Sequence, residues 1–154
     1  MLKSNKEITN RLDIDTIITK SLVCRISFAV DNSPYMVPVS FGYDGKSIFV
    51  HTAEKGKKIS FLKSNNNICF EFDTDVSIVK HDKIACKWTT AFKSVIGLGQ
   101  MIEQIDLNDR IYAMNQIMLQ YSGTTWAFDE KMLKHTKLWK IEISEISGKL
   151  SEGL

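Results

Sequence analysis

Two lysines stand where a helix begins. In "IFVHTAEKGKKISFLKSN" (residues 48–65), an apolar run ends at His51 and Thr52, a short loop follows, and Gly56, Lys57 and Lys58 open an amphipathic stretch. The positive end of a helix dipole favours carboxylates, so lysines are mildly unfavourable there. Either the two charges are solvated, or an anion sits at that end. An anion there would meet free backbone N–H groups and the dipole, and lysine would add charge-assisted hydrogen bonds. Thr52 offers a hydroxyl donor. His51 is a candidate phosphate or substrate donor and a candidate general acid; a lone histidine ending a strand is also an ordinary structural residue. His81 and His135 lie in charged contexts that read as surface, and the three histidines lack metal-ligand spacing, so no metal site is expected.

The elements around these residues follow from periodicity. Ser4 with Glu7 forms a capping-box pattern, and Asp13 is placed to cap a short helix carrying Ile14, Ile17 and Ile18. The period then becomes two. Residues 22–30, 35–43 and 47–52 read as three strands, joined by "DNSP" and by "DGK", a strong hairpin signal. Pro38 cannot donate in a ladder, which marks an edge, a bulge or a ligand-facing position. A helix is expected over 56–62, a strand over 68–73, and a short hairpin from "VSIVK" and "KIACKW" around "HDK". Residues 91–105 read as a long strand in which Gly97 and Gly99 indicate a bulge or a close backbone approach. Asp106 caps a helix to residue 121 with Ile111, Met114, Ile117, Met118 and Tyr121 on its apolar face. "FDEKMLKH" reads as a further short helix, and residues 138–149 begin as a final strand. Six or so antiparallel strands with few helices point to a mainly β protein, a closed or nearly closed barrel with peripheral helices.

The 154 residues fit one domain, 1–154, with no linker or repeat. The chain is 44% hydrophobic and 25% charged, with 20 basic and 18 acidic side chains. A net charge of +2 gives no general case for nucleic acid or membrane binding. No apolar run reaches the roughly 20 residues of a membrane span, and the polar start lacks a signal-peptide core, so a cytoplasmic location is expected. Cys24, Cys69 and Cys86 sit singly in apolar or strand-like runs and read as small buried thiols.

Five stretches taken in order, "PYMVPVSFGYDGKSIFVHTAEKGKKISFL", "NNNICFEFD", "CKWTTAFKSVIGLGQ", "IMLQYSG" and "LWKIEISEISGK", resemble the flavin-binding split β-barrel family that includes pyridoxamine 5'-phosphate oxidases. Within it, the chain is most similar to the Nim-type 5-nitroimidazole resistance proteins. The resemblance covers nearly everything after residue 12. It implies FMN bound at a homodimer interface, with Val37, Pro38, Val39, Ser40 and Phe41 along the isoalloxazine ring. His51, Thr52, Lys57 and Lys58 would lie near the ribityl phosphate, and Lys93 and Ser94 would reach over from the second subunit. Some split barrels bind haem, which makes a haem ligand another role for His51. Trp88, Trp126 and Trp139 are candidates to stack on a flavin; Trp139 in its alternating strand reads as core, and Trp126 as cover for a pocket mouth. Pyridoxamine phosphate oxidases carry basic residues where this chain has Val37 and Gly42, and "ISGKLSEGL" lacks their arginine-containing tail. Oxidation of pyridoxamine phosphate is therefore not expected. The implied activity is a flavin-dependent oxidoreductase acting on a small planar acceptor such as a 5-nitroimidazole; the rival is a flavin- or haem-binding protein without turnover.

Overall fold

The computed structural model describes residues 6–152. Strand β1 (Glu7–Ile8) precedes helix α1 (Arg11–Lys20). Glu7 therefore starts a strand rather than completing a helical cap, and Ser4 lies outside the described residues. Asn10, not Asp13, caps α1: its side chain accepts from the N–H groups of Leu12 and Asp13. Asp13 occupies the first turn, where the dipole favours it. Ile14, Ile17 and Ile18 are buried as their spacing predicts.

Strands β2 (Cys24–Val30) and β3 (Ser33–Val39) form a hairpin. Asp31 and Asn32 alone make its turn, both at positive φ (49° and 61°), which Asx residues tolerate. The single strand expected over 35–43 is instead two. After β3 the chain breaks at Ser40 and Phe41, and β4 (Gly42–Tyr43) pairs with β5 (Ser47–Ala53). The tight approach of another helix explains why residue 42 is glycine. A Cβ there would fall 2.3 Å from the backbone carbon of Gln116.

Helix α2 (Lys57–Ser64) follows, then β6 (Asn67–Val79), β7 (Thr89–Gln104), α3 (Leu107–Ser122) and β8 (Thr136–Ser151). β6 and β7 make one long hairpin, with a register shift between Thr74 and Ser77. The separate hairpin expected over 76–88 is thus the far end of β6 plus a connection containing a 3-10 turn at Ala85–Lys87. Asp106 caps α3 through Asn108 and Asp109 N–H, and Gly123 ends it at φ 73°. Residues 130–135 form a turn, and no helix occurs over 128–135. Arg110 holds this segment by donating to the Leu133 and Thr136 carbonyls.

The strands run in the order β3-β2-β6-β7-β8-β5-β4, with β1 added to β8. β3 and β4 stand at opposite ends of the sheet, yet only two residues separate them in the chain. The antiparallel sheet must therefore curl until its edges nearly meet, leaving an open seam: a split barrel with peripheral helices. Phe28, Phe41, Phe70 and Phe72 fill the interior with Ile26, Ile48 and Ile141. Both glycine signals in β7 are explained. The β7–β8 ladder bulges between Leu98 and Gly99, and a Cβ at Gly97 would lie 2.2 Å from Phe70 Cζ. Among the described residues no helix is long and apolar enough to cross a membrane, and no cluster of metal ligands occurs.

Candidate functional site

Three stretches converge at one end of the seam: the start of α2, the end of β5 and the edge strand β3. Gly56 precedes α2 at φ 130°, a conformation that L side chains rarely adopt. No side chain caps the helix, and its first turn carries no acidic residue. The first helical hydrogen bond runs from Ser60 N–H to the Gly56 carbonyl (3.0 Å). The N–H groups of Lys57, Lys58 and Ile59 consequently have no partner within the helix. Ile59 and Leu62 are buried and fix the helix on the barrel. Neither Lys57 nor Lys58 has a carboxylate partner among the described residues. Unshared donors, a positive dipole end and two uncompensated ammonium groups are what an incoming phosphate requires.

The two lysines diverge, as neighbouring helical residues must. Lys57 Nζ lies 4.4 Å from the centroid of the Tyr35 ring and 5.8 Å from that of Phe61. Tyr35 belongs to β3, so Lys57 ties the helix start to the edge strand. Lys58 instead acts on His51. Partial burial of the His51 ring, and then repulsion from the Lys58 charge, hold its pKa below the usual imidazole value. A neutral imidazole can donate from one nitrogen and accept at the other.

On β3, Tyr35, Val37 and Val39 pack half-buried toward the core. Pro38 lies exposed on the opposite face, opposite Arg25 of β2. β3 is the last strand at its end of the sheet, which accounts for the tolerated proline. Along its free edge, alternate residues turn backbone N–H and C=O groups toward no strand. Ser40 is exposed at the break. Phe41 departs from the role expected of it: its side chain is fully buried, 4.8 Å from the Phe72 ring between centroids. Its N–H is also engaged, donating to the Tyr121 hydroxyl (3.1 Å), which in turn donates to the Leu22 carbonyl (2.9 Å). Phe41 therefore anchors Ser40 and offers no surface of its own. Tyr121 was expected only as part of an apolar helix face.

Thr52 also departs from expectation. Its hydroxyl is buried, donates to the Ala53 carbonyl (2.9 Å) and accepts from the Trp139 indole (2.9 Å). No proton is left on it for a phosphate. Trp139 is core, as its alternation predicts. Trp126 is half-exposed and held against α3, its indole donating to Ser122 Oγ and its backbone paired with Asn115.

Lys93 and Ser94 are not brought to this site within one chain, and they fall on opposite faces of β7. Lys93 pairs with Asp75 (3.2 Å) beside Asp13 and Lys20 of α1. Ser94 is buried in a groove on the outer face of the sheet with Phe92, Ile96 and Lys149. Glu71 and Asp73 line the same groove and accept from Arg25 Nη1 at 3.2 and 3.0 Å. Burial first, and then the Asp73 charge, push the Glu71 pKa up. This outer cluster escaped sequence reading because its members come from four strands, β2, β6, β7 and β8, spread along the chain.

The fold and these residues can be set against known proteins. The chain shares 25% identity with a candidate 5-nitroimidazole antibiotic resistance protein from Bacteroides thetaiotaomicron, covering 93% of this chain and 85% of that one (TM-score 0.82). A FAD and heme binding protein from Mycobacterium smegmatis matches at 19% identity over 96% and 74% of the two chains (TM-score 0.81). A FAD binding protein from the same organism matches at 23% identity over 93% and 95% (TM-score 0.62). At those identities the latter two speak to the fold alone. No curated protein matches the sequence significantly. The family model described as pyridoxamine 5'-phosphate oxidase matches residues 10–150, nearly the whole chain with every strand of the main sheet path. On that match, the chain belongs to the pyridoxamine 5'-phosphate oxidase family.

Proposed function

We propose that this protein binds FMN as a homodimer and works as an oxidoreductase on a small planar acceptor, of which a 5-nitroimidazole is the candidate. The observation that carries the reading is the uncapped, acid-free start of α2 with Lys57 and Lys58 beside it. Lys57, Lys58 and the N–H groups of residues 57–59 would hold the phosphate. The free edge of β3 from Val37 to Ser40 would accept the polar rim of the ring, with Val37 and Val39 as apolar wall. When bound, the flavin supplies two-electron transfer between a reduced donor and the acceptor.

The chain's own groups do the rest. The Tyr121 hydroxyl fixes the Ser40–Phe41 break through the Phe41 N–H, so the edge that meets the ring is rigid. Gly42 cannot carry a side chain beneath α3, which removes one of the basic positions expected of a pyridoxamine phosphate oxidase. Val37 removes another. The electron donor is accordingly a molecule other than pyridoxamine phosphate. His51 stands at the phosphate end, where it can donate a hydrogen bond. Ser94 would approach from the second copy, on the outer face of β7. Lys93, on the inner face and paired with Asp75, is the weaker partner-side contact.

The similarity to a candidate 5-nitroimidazole resistance protein supports the acceptor class. The test is the absorbance spectrum of the purified protein, with mass identification of what it releases on denaturation. A flavin spectrum and the mass of FMN are expected. Anaerobic mixing of the reduced protein with a nitroimidazole should then restore the oxidised spectrum. A sharp Soret band, or a flavin that the nitroimidazole does not reoxidise, would favour a haem-binding or non-turnover role instead.

A further inference from the structure

The connection between β6 and β7 is closed by a histidine. His81 Nδ1 accepts from the N–H groups of Lys83 (3.2 Å) and Ile84 (3.1 Å). Ile84 passes the hold onward: its carbonyl accepts from the Lys87 N–H (3.1 Å), which closes the 3-10 turn at Ala85–Lys87. Trp88 completes the ring. Its backbone N–H donates to the Ala85 carbonyl (3.0 Å) and its indole to the His81 carbonyl (2.8 Å). One residue therefore grips both ends of the connection, by its ring nitrogen at the start and its carbonyl at the finish. His81 is half-buried, while every residue from Asp82 to Trp88 is exposed.

The same local device recurs in this chain with other side chains. Among the described residues, Asn10, Asp44 and Asp106 each accept from the backbone N–H groups two and three residues ahead, as His81 does. Asn and Asp suit the task because a short side-chain oxygen reaches both donors. An amide does not titrate, and a carboxylate stays ionised down to a pH of about 4. Histidine is different in kind. Its ordinary pKa of about 6.5 makes it the side chain that changes charge between pH 5 and 8. In the imidazolium both ring nitrogens are donors. Of the four acceptors, His81 alone can be turned into a donor near neutral pH.

We infer that His81 makes the β6–β7 connection a proton-operated latch, closed by the neutral imidazole and opened when acid places a proton on Nδ1. A protonated Nδ1 would point its N–H at the N–H groups of Lys83 and Ile84, so two hydrogen bonds become two repulsive contacts. Charge acts in the same direction. The charged groups about the ring are Lys80 and Asp82 beside it and Lys83 and Lys87 on the turn that it caps, three ammonium groups against one carboxylate. None of the four has an ion-pair partner among the described residues. Thr89 and Thr90, which follow on β7, carry no charge. Opening takes up a proton, so the open fraction rises as pH falls. It frees the half-exposed Trp88 from its tether and removes the support of the 3-10 turn. The latch lies wholly within residues 81–88 and goes beyond the proposed function, requiring neither the flavin nor a second copy.

NMR of the full chain between pH 8 and pH 5 tests it, with circular dichroism to check that each variant is folded. At pH 8 the His81 ring should be the neutral tautomer with its proton on Nε2. As that ring titrates, hydrogen-exchange protection of the Lys83 and Ile84 amides, corrected for the intrinsic rate at each pH, should fall by about tenfold or more, and the Trp88 indole N–H should follow. His81→Asn supplies an oxygen acceptor that does not titrate, so its protection should stay level across the range. His81→Ala has no acceptor and should be unprotected at both ends. A neutral ring with its proton on Nδ1 would overturn the latch. So would protection that stays level while wild-type His81 titrates, or His81→Ala amides as protected as those of the wild type. A fall in His81→Asn equal to that of the wild type would move the pH effect to another group and overturn the role of His81.

Discussion

Replacing Lys57 and Lys58 together by alanine should weaken FMN binding while sparing riboflavin. A phosphate at the start of α2 keeps its backbone N–H contacts in the variant and loses two ammonium groups. Each charge-assisted contact is worth about 1.5 kcal/mol net, so the pair amounts to about 3 kcal/mol, roughly 150-fold in Kd. The singles should differ in a second respect. Lys58 has no carboxylate partner among the described residues, so Lys58→Ala should cost about tenfold in FMN affinity with little change in stability. Lys57 also rests over the Tyr35 ring, so Lys57→Ala should in addition remove about 0.5–1 kcal/mol of folding stability. Quenching of flavin fluorescence gives both affinities, and thermal unfolding gives the stability. The reasoning is refuted if FMN affinity survives the double substitution, or if riboflavin loses as much as FMN, since riboflavin carries no phosphate.

Tyr121→Phe removes the acceptor of the Phe41 N–H and should destabilise the fold by about 1–3 kcal/mol, read by denaturant unfolding. It should also weaken riboflavin and FMN in equal proportion, because the ring edge and not the phosphate end is loosened. Gly42→Ala forces a methyl against the backbone of α3 and should cost about 3 kcal/mol or prevent folding, seen as a lowered Tm. His51 should titrate below its ordinary value of about 6.5 in NMR spectra of the free protein, and Lys58→Ala should raise it by removing a repulsive charge. A phosphate nearby would favour the imidazolium and raise the His51 pKa. FMN binding would then take up a proton and tighten as pH falls through that range; affinity flat with pH between 5 and 7 would count against a phosphate near His51.

Period and punctuation carried most of the fold. The Asp44–Gly45 turn and the Asp106 cap were legible because each is a local device with a local cause, and the paired glycines of β7 because a glycine inside a strand pattern has few uses. What stayed hidden depended on partners distant in sequence. The strand expected over 35–43 has an unbroken β pattern, and only its change of pairing from β2 to β5 splits it at Ser40. "KIACKW" alternates like a strand, yet His81 folds the connection onto itself. At the site, Gly56 and the lysines were readable because a helix start has an expected chemistry that they contradict. Thr52 and Phe41 are engaged in ways their residue types do not announce. Residue type shows that a hydroxyl or a ring is present, while the fold decides whether it is free: the Thr52 hydroxyl donates to the Ala53 carbonyl, and the Phe41 ring is buried against Phe72.

The most direct measurement is a crystal structure of the protein grown with FMN. Phosphate density within hydrogen-bond distance of the backbone N–H groups of residues 57–59, with Lys58 Nζ in contact, is the predicted result. Phosphate bound elsewhere on the barrel, with the α2 start hydrated, would contradict it.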